Sequence, residues 1–112
     1  MTNLNLVCVD FRECNLLASL KSSLIDILSY PVILGEDKLN VEKFFEPDRG
    51  QYNAGGILSS YDRNDSDDRT ILLTSVDLYI PIFTFVFGLA KLNGFTGIVS
   101  THRLRPEFYG LP

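Results

Sequence analysis

One histidine, His102, is all the imidazole chemistry that 112 residues offer. A hydrolytic zinc site takes three protein ligands, leaves a fourth position open for water, and needs a carboxylate to accept the water's proton. His102 supplies one ligand at most, and neither Cys8 nor Cys14 stands at a spacing that would complete a set around it. Its expected place is the surface or a satisfied core position of an alternating strand, so no catalytic residue and no metal ligand is assigned. Ser75-Val76-Asp77 and Ser100-Thr101-His102 hold the residue types of a serine nucleophile and its partners, but no nucleophile-elbow glycine pattern surrounds either serine. Asp77 is instead expected to accept backbone hydrogen bonds at a strand end. Asp62, Asn64, Ser66 and Asp68 alternate like the first oxygen ligands of a calcium loop. Asp67 stands where the loop glycine belongs and Leu73 where the bidentate glutamate belongs, so residues 62–68 read as a solvated acidic turn. No phosphate-binding glycine loop occurs.

Fourteen acidic against ten basic residues, a net charge of -4, give no footprint for nucleic acid. The 46% apolar share suffices for one small domain with a core of its own. The start, MTNLNLVCVDFRE, has no basic stretch ahead of an apolar core and no small-residue cleavage site, which argues against a secretory signal. Residues 79–92, the most apolar run, include Pro81, Thr84 and Lys91 and fall short of the roughly 20 residues that cross a bilayer. A cytoplasmic location with no membrane partner is expected, and with it reduced, buried thiols at Cys8 and Cys14.

The elements that would position these residues follow from periodicity. Residues 4–9 (LNLVCV) form an apolar run suited to a strand buried on both faces. From residue 15 to residue 28 the apolar side chains Leu16, Leu17, Leu20, Leu24, Ile27 and Leu28 recur every three or four positions, which places them on one helix face. Pro31 keeps that helix from running past Tyr30, and residues 32–34 resume a strand. Strand, helix, strand within about thirty residues predicts a parallel pair with a crossover. Residues 35–50 read as a polar loop anchored by Phe44 and Phe45, and residues 51–61 as a helix weakened by Gly55 and Gly56. Residues 71–76 are the next buried strand. Residues 82–90 and 96–104 read as two more strands, antiparallel because Asn93-Gly94 turns one into the other. The helix over residues 15–28 is expected to cover the buried strands, with Leu20 and Leu24 turned toward them.

The stretches PDRGQYNAGGIL (47–58), SVDLYIPIFTFVFGLA (75–90), IVSTHRLR (98–105) and EFYGLP (107–112) resemble the archaemetzincins, a family of zinc-dependent metallopeptidases. The resemblance implies an α/β fold: a twisted mixed β-sheet with two helices, the N-terminal subdomain of a metzincin-like enzyme, whose antiparallel edge strand falls near residues 84–90, beginning about Thr84. That strand would be the upper rim of a substrate cleft, with residues 96–104 as the inner strand beside it. An extended peptide adding to the edge would then meet Phe87, Gly88, Leu89 and Ala90. In the family, a helix carrying His-Glu-x-x-His-x-x-Gly-x-x-His follows the EFYGLP-like stretch, and cysteines that hold a second zinc follow that helix. The 112 residues contain neither, so the chain is expected to be a single domain cut off before its zinc helix, without a cofactor or activity of its own and prone to self-association through the exposed edge. A self-standing, non-catalytic α/β module that binds a peptide or itself by strand addition is the competing reading. An unrelated flavodoxin-like binding domain is a third.

Overall fold

The computed structural model describes residues 3–12, 14–29, 31–36, 39–61, 69–90 and 96–104. The first apolar run forms strand β1 (Leu4–Cys8), followed by a 3₁₀ turn at Cys14–Leu16 and helix α1 (Leu17–Leu28). Ser29 ends the helix in a left-handed conformation, φ 55°, with its N–H donated to the Ile25 carbonyl at 2.9 Å, and Pro31 follows two residues later. Strand β2 (Val32–Glu36) then runs parallel to β1, as the strand-helix-strand order predicts.

Two sheets follow. The main one has the order β2, β1, β5 (Arg69–Thr74), β8 (Thr96–Ser100), β7 (Gly88–Ala90); all neighbours are parallel except the antiparallel β7–β8 pair at the edge. The smaller sheet joins β3 (Phe45–Glu46), β4 (Gln51–Asn53) and β6 (Leu78–Tyr79). Helix α2 (Ala54–Tyr61) continues directly from β4.

The alternation of the strands splits the core between the two faces of the main sheet. Val7, Leu72, Ile98 and half-buried Leu89 point to one face, where they meet Ala54, Ile57 and Leu58 of α2, together with Val41 and Leu78. Leu4, Leu6, Val32 and Leu73 point to the other, under Leu17, Leu20 and Leu24 of α1. Gly56 of α2 lies against the Phe44 ring so closely that a Cβ there would come within 2.7 Å of it. Helix α1 sits over β2, β1 and part of β5. On its face of the sheet, Ile71, Gly97, Val99, Gly88 and Ala90 border an open, largely apolar groove of about 360 Å³.

Several expectations are corrected. Leu16, Ile27 and Leu28 share the apolar periodicity but are 47%, 76% and 43% exposed, Leu16 lying in the 3₁₀ turn ahead of α1 and the other two at the helix's last turn, away from Leu17, Leu20 and Leu24 that pack on the sheet. Strand β2 is an edge strand, so Ile33 and Leu34 are exposed rather than covered on both faces. Residues 51–53 pair as β4, and the helix starts only at Ala54. The polar loop at 35–50 contains a 3₁₀ turn at Val41–Phe44, with Asn40 Oδ1 accepting from the Glu42 N–H at 3.1 Å, and then β3. Of residues 82–90 only the last three form a strand; the preceding stretch is turn and bend with one bridge, Leu78 to Val86. Residues 101–104 leave the sheet, and His102 sits in a 3₁₀ turn, His102–Leu104. The turns expected at residues 62–68 and at Asn93-Gly94 lie outside the described residues, as does the side chain of Cys14. Cys8 is a half-buried thiol in β1.

Candidate functional site

The expected rim residues occupy the end of the main sheet. Phe87 precedes β7, is 47% exposed, and meets Phe85 edge to face at 5.3 Å. Its carbonyl accepts from the Ser100 N–H at 2.8 Å. That bond fixes the phase of the antiparallel ladder: Phe87 and Leu89 turn their backbone groups toward β8, while Gly88 and Ala90, opposite Val99 and Gly97, turn theirs to the open edge. Leu89 packs into the core, so the three strand residues divide their work between anchoring and exposure. Gly88 cannot be replaced without movement, since a Cβ there would lie 2.6 Å from the Ile98 carbonyl oxygen.

The segment leading into β7 is held from below by charge. Asp77, just before β6, receives Arg103 Nε and Nη2, each at 2.8 Å, in a two-pronged pair, and Gln51 Nε2 at 3.1 Å. Gln51 also donates to the Thr84 carbonyl at 2.9 Å, and Arg49 donates to the Phe83 carbonyl at 2.6 Å. The Arg103 guanidinium lies 4.1 Å from the centre of the Phe85 ring, and that of Arg49 lies 4.0 Å from the centre of Tyr79. Burial alone would raise the Asp77 carboxyl. The hydrogen bonds from Arg103 and Gln51, with the charges of Arg103 and His102, outweigh it and hold the group below its ordinary range. Asp77 therefore binds side chains through its carboxylate rather than the backbone donors expected of it, although its own carbonyl does accept the Tyr52 N–H at 2.8 Å.

The serines that invite a triad reading are committed elsewhere. Ser75 Oγ accepts the Arg12 N–H at 2.8 Å, and Ser100 Oγ donates to the Val76 carbonyl while accepting the His102 N–H. His102 Nδ1 lies 3.2 Å from the Ser75 carbonyl oxygen, so the ring is directed at backbone rather than at a hydroxyl.

No family model matches the chain. Individual relatives do. An archaemetzincin of Methanocaldococcus jannaschii is 47% identical over 64 residues, which is 57% of this chain and 35% of that protein. One from Pyrococcus horikoshii is 41% identical over 80 residues, 66% of this chain and 43% of that protein. Among solved structures, the archaemetzincin of Methanopyrus kandleri superposes with a TM-score of 0.75 at 32% identity, over 96% of this chain and 64% of the other. A zinc-dependent peptidase from Methanocorpusculum labreanum superposes with a TM-score of 0.78 at 30% identity, over 96% of this chain and 69% of the other. The chain belongs to the archaemetzincin family. The likeness thus extends into the first third, where the residues alone showed only a compatible strand-helix-strand order. The stretches matched amount to less than half the length of the first two of these archaemetzincins.

The zinc of the family finds no fitting donor set in the part described. Among the described residues no three His, Cys, Asp or Glu side chains converge on a point where a metal ion could sit. His102 has one ring nitrogen directed at a carbonyl, and the sequence holds no second histidine. Among the described residues no helix is long and apolar enough to cross a membrane.

Sequence reasoning missed Arg49, Gln51 and Arg103. No local signal marked them, because all three lie outside the aromatic run whose carbonyls and carboxylate they bind.

Proposed function

We propose that these 112 residues carry the substrate-side part of an archaemetzincin-type zinc peptidase, present β7 as the rim on which an extended peptide lies, and do not hydrolyse peptides by themselves. The observation that carries the reading is the antiparallel edge strand whose Gly88 and Ala90 backbone groups face outward in a fold shared with archaemetzincins. A peptide paired there would gain ladder hydrogen bonds from Gly88 and Ala90, with Phe87 offering an apolar contact beside them. Hydrolysis would need the zinc ligands and general base of His-Glu-x-x-His, a pattern these residues do not contain. The groove bordered by Gly88, Ala90, Gly97 and Val99 supports the same reading, because glycines there leave the backbone open to the close approach of another element. We place this activity in the cytoplasm.

The test combines metal analysis with peptide binding. After dialysis the chain is expected to hold well under one zinc per molecule and to leave peptides intact, while an extended apolar peptide shifts the amide signals of Gly88 and Ala90. One tightly held zinc lost on His102→Ala would overturn the reading. A second reading, self-association, is favoured by the same open edge and by the exposure of Ile82, Phe83 and Phe87 around it. Of the two aromatic residues Phe85 and Phe87 it is Phe87 that faces outward, so Phe87→Lys is expected to weaken dimers in sedimentation.

A further inference from the structure

The main sheet has a second feature that the rim does not use. From β1 the chain winds through α1 to β2 on one side, and β5 takes the place on β1's other side, with α1 and α2 on opposite faces. In open α/β sheets the segments that leave the carboxyl ends of two such strands diverge, and the crevice between them is where ligands bind. Here the crevice is a cleft of about 250 Å³, entered by Asp10 and Arg12 after β1, Ser75 after β5, His102 after β8, and Glu42 with Tyr52 from the side of the small sheet. It is smaller than the roughly 300–1,000 Å³ pockets that take drug-sized ligands, so its ligand is of the size of a simple metabolite.

Its floor is pinned. The Ser75 N–H donates to the Asp10 carbonyl at 3.0 Å, and the Arg12 N–H donates to Ser75 Oγ. A carbonyl oxygen only accepts, so the contact from His102 Nδ1 to the Ser75 carbonyl places a proton on Nδ1. Asp10 is held at φ 51°, a conformation that aspartate tolerates better than most residues. The Tyr52 hydroxyl donates to Glu42 Oε1 at 2.8 Å and fixes that carboxylate. Charges of both signs act at this one phenol: it is raised by burial, by Glu42 and by Asp10, and lowered by Arg12.

We propose that the cleft binds a small zwitterion, a free α-amino acid or a dipeptide with both termini free, its carboxylate on the Arg12 guanidinium and its ammonium between Asp10 and Glu42. Asp10, Glu42 and Asp77, the last bound to Arg103, outnumber the Arg12 guanidinium and disfavour a multiply charged anion such as phosphate. A divalent cation lacks a donor set, since no three metal-type ligands converge among the described residues. The site is separate from the edge of β7 and does not depend on the rim reading.

The test is titration of the ¹⁵N-labelled 112-residue chain with L-alanyl-L-alanine, and separately with L-alanine, to about 50 mM, enough to saturate a millimolar site. The amides of Asp10, Arg12, Ser75 and His102 are expected to move together along one saturation curve. The N-acetylated and the C-amidated dipeptides should each bind at least about tenfold more weakly, a loss of about 1.4 kcal/mol. Arg12 is exposed, so Arg12→Gln keeps the fold and should cost a similar factor, with Arg12→Lys recovering part of it; Ile27→Ala, at an exposed position on α1, should change nothing. A saturable response to L-alanine equal to that of the dipeptide supports an amino-acid ligand. The absence of any saturable shift, equal binding of the capped dipeptides, or unchanged affinity in Arg12→Gln overturns the proposal.

Discussion

Asp77→Asn is the sharpest probe of how the rim is held. The replacement keeps the shape of the side chain and removes only its charge, so Arg103 keeps one acceptor and loses its counter-charge. Breaking a fully buried pair from one side costs about 3–5 kcal/mol, whereas an exposed pair is worth about 0–1 kcal/mol. The side chains of Arg103 and Asp77 are 19% and 11% exposed, between those limits, and the bond from Gln51 is lost or reversed as well. A loss of about 2 kcal/mol follows, which for a domain of this size lowers Tm by roughly 8–10 °C. Urea is the right denaturant, because guanidinium would screen the pair; a slope of about 1–2 kcal/mol/M turns the loss into a midpoint shift of about 1–2 M. The pH dependence has a definite sign. The folded Asp77 carboxyl lies below its ordinary value of 3.8, so the wild-type advantage is fully present above that value and disappears as pH falls through the folded pKa, where Asp77 becomes as neutral as asparagine. A difference under about 0.5 kcal/mol at neutral pH, the scatter of ordinary surface substitutions, would refute the argument. So would a difference that persists unchanged well below the folded pKa.

Other outcomes follow from packing. Gly88→Ala forces a methyl group against the Ile98 carbonyl and is expected to cost about 1–3 kcal/mol, with loss of amide protection confined to β7 and β8 in hydrogen exchange. Leu72→Ala opens a cavity at a fully buried position between β1 and β8 and should cost about 2–5 kcal/mol in urea melts.

The legible parts of the fold were those that one local pattern decides. Apolar runs marked β1 and β5, three- and four-residue spacing marked α1, and the short strand-helix-strand order marked the parallel β1–β2 pair. The antiparallel partner of β8 was legible because a possible turn separates the two segments. What failed depends on partners distant in sequence. Ile33 and Leu34 look like core until the sheet order puts β2 at its edge. Residues 82–87 have strand-like composition, yet the carbonyls of Phe83 and Thr84 are taken by Arg49 and Gln51, more than thirty residues earlier, so the segment bends and pairs only through the bridge at Val86. Strands of two or three residues, such as β3, β4 and β6, are too short to show any alternation. The rim residues could be placed by resemblance to a family; the Asp77 pair and the cleft at the ends of β1 and β5 could not, because each gathers residues from three or more separate elements.

The contact between Phe44 and Gly56 bears on how this half of the molecule opens. Eight residues with two adjacent glycines, each about 1 kcal/mol worse than alanine, cannot hold a helix in isolation. The missing Cβ that weakens α2 from within is also what lets the aromatic ring rest on it. Intrinsic helix strength has been exchanged for proximity. The cooperative unit is accordingly not the helix but the helix together with the 3₁₀ turn that carries Phe44, and neither should unfold locally while the other stays formed. Because Ile57 and Leu58 on that helix seal the face of the sheet beneath β7 and β8, excursions of a surface turn more than forty residues away in sequence become excursions of the edge to which a peptide would add.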